Sequence, residues 1–118
     1  MGYTHYWKSS APFADSAWES FVTAAKKLFA LKKDILANGF GEEGTSPEIK
    51  RDYISFNGIG DEAHETCHIT KNAVNFEFCK TARKEYDAVV VEILLLARLY
   101  NPTLVLTSDG GANVFKIS

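Results

Sequence analysis

The sequence has few cysteines, no excess of positive charge and no long hydrophobic run. Its two cysteines are too few for the disulfide framework of small secreted domains. A net charge of −2 leaves no broad basic face, which argues against generic DNA or RNA binding. The longest apolar segment, 88–97, is interrupted by Glu92 and is shorter than the roughly 18 residues that span a bilayer. No membrane partner is therefore expected.

The N-terminal residues lack the basic and apolar regions of a secretory signal. Two thiols in a chain without such a signal indicate a reduced protein, so the predicted location is the cytoplasm. No residue pattern in the chain predicts a cofactor.

Enough apolar residues are present for a genuine core. At 118 residues and 46% hydrophobic content, the chain is predicted to form one domain spanning residues 1–118. Helical spacing of apolar residues predicts helices over 16–38 and 85–100. Strands are predicted from β-branched, aromatic or alternating residues at 3–8, 53–56, 66–70, 75–79, 104–107 and 114–117.

This order of elements, β-α-β-β-β-α-β-β, predicts an α+β fold. We expect a mostly antiparallel sheet of five to six strands, with two helices packed on one face. The segments 66–70 and 75–79 resemble a hairpin, which would place Cys67 and Cys79 on neighbouring strands. Both thiols are then interpreted as small apolar residues. The alternative is a nucleophilic cysteine, because the cations after Cys79 would lower its pKa.

The most informative pattern is a turn rich in positive charge between a strand and a strongly apolar helix. Lys80, Arg83 and Lys84 lie in this turn beside the hydroxyl of Thr81. A helix N-terminus already offers unpaired N–H groups and a partial positive charge. The pattern therefore predicts an anion site for a phosphate or carboxylate. The alternative is that the cations are simply solvated.

The first strand carries aromatic residues on both of its faces. His5 belongs to one face and Tyr6 to the other, and the sequence does not decide which face is buried. Either residue could contact a base or sugar ring next to the cations. Farther along the chain, Asn57 is predicted to add an amide contact, and Asp109 in a Ser-Asp-Gly turn is a weaker candidate for the ligand site.

The segment 64–68 matches the zinc-protease pattern H-E-x-x-H. In those enzymes the pattern lies on a helix, where both imidazoles reach one metal. Here β-branched neighbours favour a strand, which would separate His64 from His68 by roughly 13 Å. No metal site is predicted. His64 and Glu65 are instead expected to line a pocket as hydrogen-bonding or acid–base groups.

Several motifs together resemble a group of small uncharacterised proteins from bacteriophages and bacteria. They are the segments 1–7 (MGYTHYW), 64–66 (HET), 78–84 (FCKTARK), 86–87 (YD) and 108–110 (SDG). The resemblance spans nearly the whole chain and implies a phage-type protein, located in the host cytoplasm if phage-encoded. Glu85 stands where related proteins often have proline, and both suit a first helical position.

These features lead to one functional hypothesis and two alternatives. The first is a non-catalytic protein that binds a small phosphorylated, nucleotide-like ligand and sequesters a host immune signal. Sites on small domains are often completed by a second chain, so a homo-oligomer is included in this hypothesis. The second is a nucleotide-directed hydrolase or phosphodiesterase that uses His5, His64 and Glu65. The third is an inhibitor that meets a host defence protein through the acidic loop 40–47.

Overall fold

The computed structural model describes residues 3–116, in which two α-helices and six β-strands are found. The predicted α+β class with two helices is confirmed. In chain order the elements are β1 (Thr4–Lys8), α1 (Asp15–Leu31), β2 (Glu48–Ile49), β3 (Tyr53–Phe56), β4 (Cys67–Thr70), β5 (Phe76–Lys80), α2 (Asp87–Tyr100) and β6 (Val105–Ser108). Within this range, neither helix has the length and hydropathy needed to cross a membrane.

The strands are divided between two antiparallel sheets of three strands each, in the orders β5-β1-β6 and β2-β3-β4. The expectation of one sheet covered by both helices on one face is therefore not confirmed. The predicted hairpin between 66–70 and 75–79 is wrong, because β4 pairs with β3 while β5 pairs with β1. Alternation along a strand identifies its two faces but does not identify its partner.

The ends of several predicted elements also differ from the structure. Helix α1 ends at Leu31 and not at residue 38, since Ala37 leaves the helix to form a bridge with Asn57. Helix α2 ends before Pro102, as expected. The last predicted strand is absent over residues 114–116, which lie in turns and coil. Ile117, its final residue, is outside the described residues.

The core fills the space between the helices and the inner faces of the sheets. Helix α1 contributes buried aromatic and aliphatic side chains, and α2 contributes an apolar stripe. Tyr86, immediately before α2, is completely buried. The inward residues of the β5-β1-β6 sheet include Trp7, His5 and Cys79, which are also buried.

The opposite side of the β5-β1-β6 sheet is exposed and carries large apolar side chains. Phe76 is 58% exposed, Phe78 is 53% exposed and Val105 is 64% exposed. Residues paired across antiparallel strands point to the same side, so the register defines this surface. We call it the open face, and its members are Thr4, Tyr6, Lys8, Phe76, Phe78, Lys80, Val105 and Thr107, of which Thr4 is buried.

Candidate functional site

The turn between β5 and α2 has an unusual backbone conformation. Ala82 and Arg83 adopt φ values of +52° and +59° in succession, a region that non-glycine residues occupy at a cost of about 1 kcal/mol or more each. The backbone N–H of Thr81 donates to the Tyr3 carbonyl at 2.9 Å, and that of Lys84 donates to the Thr81 carbonyl at 3.0 Å. The turn is thus tied to the start of β1.

An internal carboxylate is already present beside this turn. Asp87 lies in the first turn of α2, where a negative charge is favoured by the helix dipole. The Thr81 hydroxyl donates to Asp87 Oδ1, and Thr81 is completely buried. The predicted ligand contact of Thr81 is therefore replaced in this structure by a contact to the protein's own anion.

His5 connects this carboxylate to strand β6. Its Nε2 lies 2.7 Å from Asp87 Oδ1, and its Nδ1 lies 2.8 Å from Ser108 Oγ. Because both ring nitrogens are engaged and the side chain is 0% exposed, His5 faces the interior. We call Thr81, Asp87, His5 and Ser108 the His5 network.

The three cations of the turn have different surroundings. Lys80 pairs in register with Thr4 and belongs to the open face. The Arg83 guanidinium lies 4.0 Å from the centre of the Tyr3 ring, a cation–π geometry. Lys84 is half-buried. In the part of the chain that the structure describes, none of the three forms a salt bridge.

The open face is arranged in rows that follow the strand register. Phe78 lies beside Tyr6, and Phe76 lies beside Lys8. The rings of Tyr6 and Phe76 are stacked with their centres 5.8 Å apart, and those of Phe76 and Phe78 are 6.4 Å apart. Three aromatic rings therefore form one partly exposed surface, with Lys80 two residues beyond Phe78.

Asp109 lies next to this surface at the end of β6. Its carboxylate accepts a hydrogen bond from the Tyr6 hydroxyl at 3.0 Å and from the Thr4 backbone N–H at 3.1 Å. The hydrogen bond to Asp109 raises the pKa of Tyr6. Asp109 is exposed, so its carboxylate fixes the Tyr6 ring while staying accessible to solvent.

The other predicted site residues lie in the segment 57–65, which meets β5 at Lys80. The Asn57 amide bonds the backbone at Gly39, Gly58 and His64, so it is used within the protein. The Glu65 carboxylate accepts the Lys80 backbone N–H at 2.7 Å. The His64 side chain is exposed. Within residues 3–116, the hydrogen-bond partners of His5 are Ser108 and Asp87, and neither His64 nor Glu65 is among them.

The cysteines and Tyr86 form a buried group behind β5. Cys67 and Cys79 are both free and completely buried, and the Tyr86 hydroxyl donates to the Glu65 carbonyl at 2.6 Å. Burial raises the pKa of Cys67 well above its usual value, and it raises the pKa of Tyr86, with neighbouring Cys79 adding to both shifts.

These raised pKa values predict a loss of stability at alkaline pH. The folded state favours the neutral forms of Cys67 and Tyr86. Their contribution to the free energy of unfolding is therefore complete below the ordinary pKa values of 9.0 and 10.0, and it is lost as pH rises above them. Each group should lower the free energy of unfolding by up to about 1.4 kcal/mol per pH unit in that range. Urea unfolding between pH 8 and 11 measures the slope of the free energy of unfolding against pH. Cys67→Ala should make it shallower, and an unchanged slope would contradict this account.

Four surface clefts of the described residues lie away from the cations. These clefts, of about 470, 530, 410 and 190 Å³, are lined by other residues than Lys80, Arg83 and Lys84. Lys80, the cation on β5, belongs instead to the open face of the sheet.

Sequence reasoning missed the contributions of Phe76, Phe78, Asp87 and Ser108. The alternation at 75–79 placed the two phenylalanines on one face, and their position beside the cationic turn was the available signal. Asp87 and Ser108 lie 82 and 103 positions from His5, and no local pattern joins residues at such separations.

No family model, no curated protein and no solved structure is significantly similar to this chain. The resemblance to bacteriophage and bacterial proteins accordingly stays a prediction.

Proposed function

We propose that this chain is a non-catalytic binding protein that holds a small phosphorylated, nucleotide-like ligand on its open face. The observation that carries the proposal is the exposed ring surface of Tyr6, Phe76 and Phe78 with Lys80 at its end. Aromatic side chains on an exposed sheet stack nucleobases, and each stacked base contributes about 1–3 kcal/mol.

The charged side chains around the rings are placed to contact the phosphate and the ribose of a nucleotide. Lys80, Thr4 and Asp109 lie side by side across the three strands, and neighbouring strands are about 4.8 Å apart. The cation and the carboxylate are therefore about 10 Å apart at the backbone. Lys80 would neutralise phosphate, with Lys84 and Arg83 adding positive charge from the adjacent turn.

Asp109 would accept a ribose hydroxyl, a role that acidic side chains have in dinucleotide-binding proteins. Its two hydrogen bonds to β1 hold the carboxylate in place before a ligand arrives, which reduces the entropic cost of binding. Glu65 already accepts the Lys80 backbone N–H, and the Asn57 amide bonds neighbouring backbone groups. These two residues and the exposed His64 are left out of this arrangement.

The biological role follows from the resemblance alone. A phage protein that binds a nucleotide-like signal would sequester it from a host immune effector, which is an anti-defence function. An open binding face is also suited to completion by a second copy of the chain, so the proposal retains a homo-oligomer.

Replacing Lys80 with glutamine tests the phosphate contact. With the tightest binder among ADP-ribose and cyclic dinucleotides, we expect at least tenfold weaker binding and a smaller dependence on salt, because one fewer charge is neutralised. Lys26→Gln is the control, since Lys26 is an exposed lysine on α1 and does not belong to the open face. Calorimetry at two salt concentrations measures both effects, and equal affinities for the two variants would remove Lys80 from the site.

A further inference from the structure

The inner side of β1 contains a second group of residues that is suited to a chemical reaction, the His5 network. A carboxylate only accepts hydrogen bonds, so the 2.7 Å contact to Asp87 assigns the ring proton to Nε2. In the neutral imidazole Nδ1 is then the acceptor, and it faces Ser108 Oγ at 2.8 Å. The Ser108 oxygen also accepts the Gly110 N–H at 3.0 Å, which leaves its own proton directed at His5.

This order of contacts is the hydroxyl–imidazole–carboxylate chain that activates a serine in hydrolytic enzymes. The serine bonds Nδ1 here and the carboxylate bonds Nε2, the reverse of the common assignment. Thr81 donates to the same oxygen of Asp87 and thereby helps to fix the carboxylate. The orientation of the imidazole is thus fixed at both of its ring nitrogens.

Ser108 can be reached from solvent, whereas His5 cannot. Ser108 is half-buried and lines a cleft of about 530 Å³. Arg98 and Lys116 line the same cleft, so an anionic group such as a phosphoryl group is favoured there. The base behind the serine is 0% exposed.

We propose that Ser108 is an activated nucleophile that accepts a phosphoryl group from a phosphate ester with an acidic leaving group. Ser108 Oγ forms a bond to phosphorus while its proton passes to His5 Nδ1, and the leaving group departs with the electron pair of the broken bond. Asp87 is a positioning residue that stabilises the imidazolium. No further reactant is required.

The burial of His5 explains the restriction to acidic leaving groups. Among residues 3–116, the hydrogen-bond partner of Nδ1 is Ser108 Oγ, so the imidazole is not placed to return its proton to a departing group. That group must leave as a stable anion. The same burial keeps Nδ1 from activating water, so the phosphorylated serine should persist and only one equivalent should react.

A fluorophosphonate probe tests the proposal, because fluoride is such a leaving group. Intact mass spectrometry and peptide mapping should find one adduct, on Ser108, formed at least tenfold faster than on the exposed Ser20. The adduct should be absent in Ser108→Ala and retained in the control Ser20→Ala. Asp87→Asn should slow the reaction at least tenfold while circular dichroism shows a folded chain.

Urea-unfolded protein provides a comparison that needs no variant, since unfolding should abolish the preference for Ser108. Equal labelling of Ser108 and Ser20 in the native protein would overturn the proposal. The open face lies on the other side of β1, so nucleotide capture by Ser108→Ala should match that of the unchanged chain. Failure of one proposal is thereby distinguishable from failure of the other.

Discussion

Replacing His5 with alanine is expected to lower the free energy of unfolding by about 3 kcal/mol. The side chain is completely buried, and its removal leaves a cavity between β1, β6 and the start of α2. It also removes one hydrogen bond each from Asp87 Oδ1 and Ser108 Oγ, and each such bond contributes about 1 kcal/mol. The cost should exceed that of an ordinary core substitution of similar size.

His64→Ala is the matched control for this prediction. His64 is exposed, and the contacts that fix its position come from its backbone to Asn57, so the change should cost less than about 0.5 kcal/mol. For a chain of this length, 3 kcal/mol corresponds to a fall of roughly 10–18 °C in Tm. Thermal unfolding of the two variants measures the difference, and equal Tm values would show that the His5 network does not stabilise the fold.

Replacing Phe78 with alanine is expected to weaken nucleotide binding by about 5- to 150-fold, which corresponds to the 1–3 kcal/mol of one stacked base. Phe78 is 53% exposed and lies between Tyr6 and Lys80 on the open face. Because half of the ring is already in solvent, truncation should change binding much more than it changes folding.

Phe40→Ala separates a specific site from general surface hydrophobicity. Phe40 is 84% exposed and lies in the loop that precedes β2, in which Asn38 Oδ1 accepts its backbone N–H at 3.1 Å. Calorimetric titration with the tightest nucleotide of the panel should give unchanged affinity for this variant. If Phe40→Ala weakened binding and Phe78→Ala did not, the loop 40–47 would be the interaction surface, as the protein-inhibitor hypothesis predicts.

The sequence was most informative where a local pattern determines the structure. The apolar repeat of α2 and the stop signal before Pro102 predicted the position of this helix, and the cationic turn was found because Lys80, Arg83 and Lys84 are close in sequence. Strand pairing was not predictable in this way. The segments 66–70 and 75–79 are neighbours in the chain, yet their partners are β3 and β1.

The composition of the candidate site depended on that pairing. Alternation at 75–79 placed Phe76 and Phe78 together, but hydrophobicity alone would normally assign such a face to the core. The structure instead buries Cys79 and exposes both phenylalanines. In β1 the same uncertainty left His5 and Tyr6 as joint candidates for one site. Only the register with β5 and β6 assigns them to opposite sides of the sheet.

The central claim is that the open face binds a nucleotide-like ligand and releases it unchanged. The most direct measurement incubates the pure chain with ADP-ribose and a panel of cyclic dinucleotides, removes unbound compounds, heats the protein and identifies what is released by mass spectrometry. We expect one intact nucleotide per chain, a higher Tm in its presence, and loss of capture in Phe78→Ala. Absence of capture together with an unchanged Tm across the panel would contradict the account.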